Sequence, residues 1–387
     1  MKFKNLPEEF RSALPILDKI SHAGFEVYFV GGSVRDALLR RPIHDVDIAT
    51  SAYPAEIKQI FKRTIDIGIE HGTVLVLAAD GQYEVTTFRT ESSYTDFRRP
   101  DRVEFVSDLS EDLLRRDFTI NAFAMTSDGI IIDKFDGLSD LKTRTLRAVG
   151  KAEERFNEDA LRVMRGMRFA AELDFNIEEA TLTAMSSHAA LLRKISIERI
   201  FIELDKLLLA ENWRKGLFYL NETEAWKYLP GFGKVDAACL IDRFQFKNSE
   251  QAWAWLIIQL KDFDLKDWKV PNVFAKTVKN IVSAYYEEDW DVAKIYRYGL
   301  DIAELADDLK VASGQKIDRL IPIIMDRRLQ IHSKSEIVIK GADLIELGYP
   351  PGPALGRILS DIETNIVNNK LLNKKEEILD YVEKLSR

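Results

Sequence analysis

The chain has 387 residues, of which 46% are hydrophobic and 30% charged, with a formal net charge of −8; this profile excludes a disordered or fibrous chain and allows two or more globular domains. A single cysteine, Cys239, excludes an internal disulfide and a multi-cysteine zinc site and fits a reducing cytoplasm. No apolar run approaches the ~18 residues of a membrane span, the N-terminal segment lacks a secretory pattern, and the acidic balance argues against coating nucleic acid by bulk charge.

Residues 1–150 read as α/β. Short apolar runs with strand character occur at FEVYFV (25–30), DVDIA (45–49), TVLVLAA (73–79) and YEVTTFR (83–89), with helical stretches between them. Asp80-Gly81 predicts an antiparallel hairpin over 73–89. Thr90–Val106 is polar, rich in arginine and broken by Pro100, which predicts a long mobile loop, of a length that signals either function or disorder. From Lys151 onward helical periodicity prevails, as in EDALRVMRGMRFAAEL, with Pro230, Pro271 and GYPPGPALG (348–356) as the main interruptions. The expected fold is an α/β N-terminal head, a small mixed sheet with helices, followed by an elongated all-α region. Six tryptophans fall in the helical runs and are expected in its core.

Asp45 and Asp47 carry the first chemical signal. On a strand they project to one side about 6.5 Å apart, and two carboxylates so placed repel unless a cation joins them. Oxygen-only ligands of this kind suit Mg²⁺ or Mn²⁺. The same pair would also suit a solvated strand end. Gly31 and Gly32, between a strand and a helix that begins near Ser33, offer backbone N–H groups to an anion such as a triphosphate; alone, they would equally make a tight turn. Glu84 is the best-placed third carboxylate, with Asp66 and Glu70 as alternatives. His44-Asp45 has the form of a metal-binding His-Asp pair, but five histidines and no second such dipeptide argue against a phosphohydrolase. Arginines crowd near 89–116 and again near 144–168, leaving room for a polyanionic substrate.

GGSVRD (31–36), DVDIATSA, RRDFTINA (115–122), FDGLSDLKTRTLRAVG (135–150) and ERFNEDALRVMRGMRFAAEL (154–173) resemble, in order and spacing, the class II tRNA nucleotidyltransferases. These are the CCA-adding enzymes, relatives of bacterial poly(A) polymerases within the DNA polymerase β-like superfamily. The resemblance implies stepwise addition of C, C and A to the 3′ end of tRNA from CTP and ATP, by two-metal phosphoryl transfer that releases pyrophosphate. It implies Asp45 and Asp47 as metal ligands, Glu84 completing the set, and Gly31, Gly32, Ser33 and Arg35 in the triphosphate cradle, although Arg35 would equally pair with Asp36. Arg116, Asp117 and Asn121 match positions that hold the nucleotide sugar; the plainer alternative is a helix capped by Asp117.

Glu158, Asp159 and Arg162, read as one helical stretch, would form a salt bridge or, as the resemblance implies, select the base with help from Arg165. A carboxylate accepts from the exocyclic amine of cytosine or adenine while a guanidinium donates to the adjacent ring nitrogen; uracil and guanine oppose both contacts. The loop 90–106 resembles the element needed for terminal A addition. Arg199 and Glu203 are expected to buttress the template helix. The expected division is a catalytic head at 1–150, a helical neck with the template helix at 151–205, a helical body at 206–275 and a tRNA-binding helical tail at 276–387. The expected partners are the tRNA acceptor arm, CTP and ATP, with no membrane and no protein partner evident. Poly(A) polymerase, a CC-only or A-only adding enzyme, and an RNA-binding protein that has lost catalysis are the competing readings.

Overall fold

The computed structural model describes residues 1–68, 72–79, 81–92, 102–241, 243–260 and 262–385. They form two compact units, Met1–Lys234 and Val235–Arg387.

The first unit is built on a seven-stranded mixed sheet of order β3-β4-β5-β2-β1-β8-β9. Its strands are β1 (Val27–Val30), β2 (Asp47–Thr50), β3 (Thr64–Gly68), β4 (Thr73–Leu77), β5 (Gln82–Thr87), β8 (Phe123–Met125) and β9 (Ile131–Asp133). The central strands lack the polar alternation of a half-exposed sheet: Ile48, Ala49 and Thr50 of β2 and all three residues of β8 are buried, as expected for strands covered on both faces. Helix α1 (Glu8–His22) lays Phe10, Ala13, Ile16, Leu17 and Ile20 toward this core, with Glu8 and Glu9 at its N-terminus and Lys19 and His22 in its last turn. The rings of Phe10 and Phe29 meet at 4.8 Å.

The hairpin expected over 73–89 is present, with β4 antiparallel to β5 and Val74 opposite Val85. The long loop expected over 90–106 is instead a hairpin at its base. Strands β6 (Arg89–Ser92) and β7 (Arg102–Phe105) pair antiparallel from Arg89↔Phe105 to Ser92↔Arg102, while 93–101 lie outside the described residues. Backbone pairing here overrides the polar composition: Phe105 packs against Tyr53 at 5.5 Å and Val106 N–H donates to Phe88 O at 2.9 Å.

Shorter elements carry the chain out of the sheet: α2 (Gly32–Leu38), α3 (Pro54–Ile60), α4 (Leu109–Leu114) and α5 (Gly137–Thr143). From residue 152 the unit is helical, with α6 (Ala152–Glu158), α7 (Leu161–Leu173), α8 (Glu179–His188), α9 (Ile197–Leu209) and α10 (Trp213–Glu222). Helix α7 is buried along most of its length; Gly166 lets it approach so closely that an added Cβ would stand 3.1 Å from Phe118 and Met185.

The second unit is helical throughout its described residues apart from loops and turns. Trp253 and Trp268 meet at 4.8 Å and Phe263 lies 5.6 Å from Trp268. A separate core toward the C-terminus gathers Ile337, Leu344, Ile362, Ile366 and Ile378. Four of the six tryptophans, Trp213, Trp253, Trp255 and Trp268, are among the largest fully buried side chains, as expected for core residues.

Candidate functional site

A cleft of about 550 Å³ lies within the first unit, lined from β1–α2 by Gly31, Gly32 and Arg35, from β2 by Asp47, and from α7 by Arg162, Arg165 and Phe169. Arg115, Arg116, Asp117 and Asn121 supply another wall, and Asp159 and Arg199 a further one. Seven arginines face four carboxylates along this lining, so the cleft carries net positive charge suited to a polyanion.

Strand β2 begins at Asp47, and Asp45 lies in the segment that leads into it. The strand expected over 45–49 is therefore shorter, because the β1–β2 register starts at Val30↔Asp47, while Asp45 still lies close enough for its charge to act on Asp47. The partner that the sheet gives Asp47 is Glu84, its Cα neighbour across the parallel β2–β5 ladder. Both side chains are solvent-accessible. Asp47 has a raised pKa because its surroundings desolvate it and because Glu84 and Asp45 repel its charge, against the opposing pull of Arg116. Asp66, the other described candidate, is on β3 opposite Val74 and is held by Lys58 Nζ at 2.7 Å. Glu70 lies outside the described residues.

Among the described residues no group of three or more acidic, histidine or cysteine side chains is gathered closely enough to hold a metal ion by itself. The donor set nonetheless fits a hard divalent cation. Such an ion retains waters and binds through one or two carboxylates plus substrate phosphates, and carboxylates that repel one another across a ladder are stabilised by it.

Gly31 has φ 75° and ψ −142°, which only glycine adopts without strain. A Cβ here would stand 2.9 Å from Arg116 Nη1 and 3.5 Å from Asp47 Oδ2. The glycine thus lets the guanidinium, the carboxylate and the backbone converge. Ser33 is turned away: its buried hydroxyl donates to Val30 O at 3.0 Å. Arg35 makes a two-pronged contact with Asp36, at 2.9 Å from both Nε and Nη2, and Nη1 donates to Asn121 Oδ1. It is both a structural partner of Asp36 and a wall of the cleft.

Asp117 is not a helix cap. The short turn Thr119–Asn121 is preceded by Phe118, without a side-chain cap. Asp117 Oδ1 instead accepts from Phe118 N–H at 2.8 Å and Asn121 Nδ2 at 3.0 Å, and Oδ2 accepts from Arg165 Nε at 2.8 Å. Burial pushes this carboxyl up, but Arg165 and Asn121 outweigh it and hold the pKa well below the usual carboxylate range. Asp117 therefore stays ionised to more acidic pH than an ordinary carboxyl.

The EDALR stretch spans a break. Helix α6 ends at Glu158, Asp159 is extended at φ −137° and ψ 102°, and α7 begins at Leu161. Asp159 Oδ1 caps the break by accepting from Leu161 N–H at 2.9 Å, and Oδ2 accepts from Arg199 Nη2 at 2.7 Å. Glu158 does not line the cleft; it binds Arg155 and also Arg162 Nη1 at 2.6 Å. Arg162 donates further to Arg155 O at 2.9 Å and Arg115 O at 2.7 Å. The two residues expected to read the base are thus held in place from behind. Arg199 holds Asp159, and Glu203 holds Arg168 at 2.8 Å and Arg165 at 3.8 Å.

Phe169 was not anticipated as a site residue. Its ring is buried among the guanidiniums of Arg35, Arg165 and Arg168 at 5.2, 5.2 and 4.4 Å. The signal was present: 162, 165 and 169 follow the i, i+3, i+7 spacing of one helix face.

Three family models match the chain: "Poly A polymerase head domain" over 27–147, "Probable RNA and SrmB- binding site of polymerase A" over 174–234 and "tRNA nucleotidyltransferase domain 2 putative" over 244–382. The chain is 60% identical over 398 aligned positions to a CCA-adding enzyme of Lactococcus lactis subsp. cremoris, covering 100% of this chain and 99% of that one. It is 55% identical to a CCA-adding enzyme of Streptococcus thermophilus, covering 100% of both. Among solved structures, the Bacillus stearothermophilus CCA-adding enzyme in complex with CTP matches with a TM-score of 0.89 and 38% identity, over 99% of this chain and 98% of that one.

Proposed function

The chain belongs to the family of CCA-adding enzymes, and from that premise we propose which of its residues add C, C and A to the 3′ end of tRNA. It is a nucleotidyltransferase: each step joins the primer O3′ to the α-phosphorus of CTP or ATP and breaks the bond from that phosphorus to the pyrophosphate.

Asp45, Asp47 and Glu84 would hold Mg²⁺, with Mn²⁺ the other ion suited to this donor set; when bound, the ion neutralises triphosphate charge and favours the primer alkoxide. Gly31 and Gly32 bring the backbone close to the triphosphate, and Arg116 joins the two residues that bind the ribose. Asp117 and Asn121 bind the ribose, whose 2′-OH both donates and accepts. Asp159 accepts from the exocyclic amine of the base and Arg162 donates to its ring nitrogen, so that CTP and ATP are accepted without a nucleic-acid template. Arg165 acts with them by fixing Asp117. The helical residues beyond 205 divide into a body to 275 and a tail to 387 that grips the acceptor arm by backbone and shape. The reaction belongs in the cytoplasm, where one cysteine and no disulfide suit the redox state; no described helix is long and apolar enough to cross a membrane.

The observation that carries the reading is the convergence of Asp47, Gly31, Arg116, Asp117, Asp159 and Arg162 on one cleft. The test is product length on a labelled tRNA ending at its discriminator base, with Mg²⁺, CTP and ATP. Growth by three nucleotides that then stops is expected; a ladder of long A tails or a stop after two would contradict it.

A further inference from the structure

We propose that Asp112 is the positioning residue that sets Arg116 for the incoming nucleotide and ties its placement to the base of the 89–105 hairpin. The inference rests on the reading of Arg116 as a nucleotide-binding residue. Asp112, in α4, is 0% exposed. Its Oδ1 accepts from Arg115 Nε at 3.0 Å and Nη2 at 2.8 Å, and from the backbone N–H of Arg89, the first residue of β6, at 3.3 Å. Its Oδ2 accepts from Arg116 Nη2 at 3.1 Å. One carboxylate therefore joins the start of the hairpin to two arginines of the cleft wall.

A carboxylate with no exposure is rare unless paired, and here Arg115 and Arg116 both pair it. Burial alone would push its pKa up, but the two guanidiniums outweigh that and hold it below the usual range. Two guanidiniums around one carboxylate leave a net positive charge facing the cleft. Arg116 has a long flexible stem, and fixing Nη2 removes freedom that nucleotide binding would otherwise have to remove. Its Nη1 is then left beside Gly31 and Asp47, 2.9 Å from the place of a Cβ on that glycine.

The same end of α4 supports the base-reading side. Leu114 O accepts from Arg155 Nη1 at 2.7 Å and Arg115 O from Arg162 Nη2 at 2.7 Å. A displacement of β6 acting on Asp112 thus reaches Arg116 through a side chain and Arg162 through the adjoining backbone.

Asp112→Asn in the full chain keeps an acceptor for Arg89 N–H and removes the charge. KM for CTP on tRNA ending at the discriminator base, and for ATP on tRNA ending in CC, is expected to rise about tenfold or more with kcat within about threefold, because a ground-state contact to the nucleotide is loosened. In an Arg116→Ala background the same change is expected to add less than about twofold, since Asp112 acts through that arginine. An equal rise in both backgrounds, or no rise in the wild-type background, overturns the proposal. Unchanged KM values in Arg116→Ala alone would instead overturn the nucleotide-binding reading of Arg116. Should Asp112→Asn fail to fold, Asp112→Glu, which moves the charge by one methylene, is read in the same cycle with the same outcomes.

Discussion

Asp47 and Glu84 are Cα partners across the parallel ladder that joins β2 to β5, and the charge of Glu84 is one of the causes that raise the pKa of Asp47. Desolvation is the largest cause. The folded chain therefore keeps a proton on Asp47 to higher pH than the unfolded chain does. Stability from this group is complete below its ordinary value of 3.8 and is lost as pH rises through the raised value. Once ionised, and without metal, Asp47 opposes folding. Asp47→Asn is expected to melt higher than the parent at pH 7 in chelator, with the difference vanishing below about pH 4. Added Mg²⁺ should stabilise the parent more than the variant. Calorimetry at both pH values checks the sign, and equal melting temperatures throughout would refute it.

The same substitution should abolish most activity. A metal ligand supplies several kcal/mol of charge stabilisation, so nucleotide addition by Asp47→Asn is expected to fall by about a thousandfold, read as the single-turnover rate with CTP. A loss under about tenfold would place the reaction elsewhere.

Gly31→Ala meets two obstacles: a backbone at φ 75° and a Cβ 2.9 Å from Arg116 Nη1. Strain of about 1–3 kcal/mol should lower the melting temperature, and displacement of Arg116 should cut kcat/KM for CTP by about tenfold or more. Full activity in the variant would show that the convergence at Gly31 is incidental.

Asp117→Asn removes a charge that two nitrogens of Arg165 contact at 2.8 and 2.6 Å. Breaking a fully buried pair costs about 3–5 kcal/mol; because a third of the Arg165 side chain is exposed, about 2–3 kcal/mol is expected after solvent screening. The pKa of Asp117 is held below the usual range, so its contribution is present above the unfolded value and is lost only as pH falls through the depressed one. Unlike the Asp47 difference, which shrinks as pH falls toward about 4, this one should keep its full size at about pH 4.5. Urea unfolding at pH 7 and in mild acid distinguishes the two.

Much of this site was legible in the sequence because it is local. The Gly pair and the Asp-Gly dipeptide each depend on a few neighbouring residues, and the glycines of the cleft lining and the β4–β5 hairpin followed. What was not legible depends on register or on distant partners. That β2 begins at Asp47 is decided by where β1 ends at Val30, and the extended Asp159 between α6 and α7 meets Arg199, forty positions along the chain. Helical spacing alone would have paired Glu158 and Arg162, which do meet, and would have kept Asp159 helical, which it is not. Asp112 gave no signal: an acid in an amphipathic stretch looks solvated until the fold closes over it.

Arg199→Ala should loosen Asp159 without removing it. Loss of a charge-assisted hydrogen bond of about 1.5–3 kcal/mol predicts a fall in the preference for CTP over UTP of about tenfold, together with a melting temperature lower by a few degrees. Competition between the two nucleotides on one tRNA checks it, and an unaltered preference would show that Asp159 is held adequately by the Leu161 N–H alone.

The most direct test of the account is nucleotide choice in Asp159→Ala, measured as the extension of tRNA by each of CTP, ATP, UTP and GTP alone at single-nucleotide resolution. If Asp159 and Arg162 read the base, CTP incorporation falls sharply while UTP, no longer opposed by a carboxylate, enters at a comparable rate. If the variant still takes CTP and rejects UTP as the parent does, base selection lies outside this pair and the central claim fails.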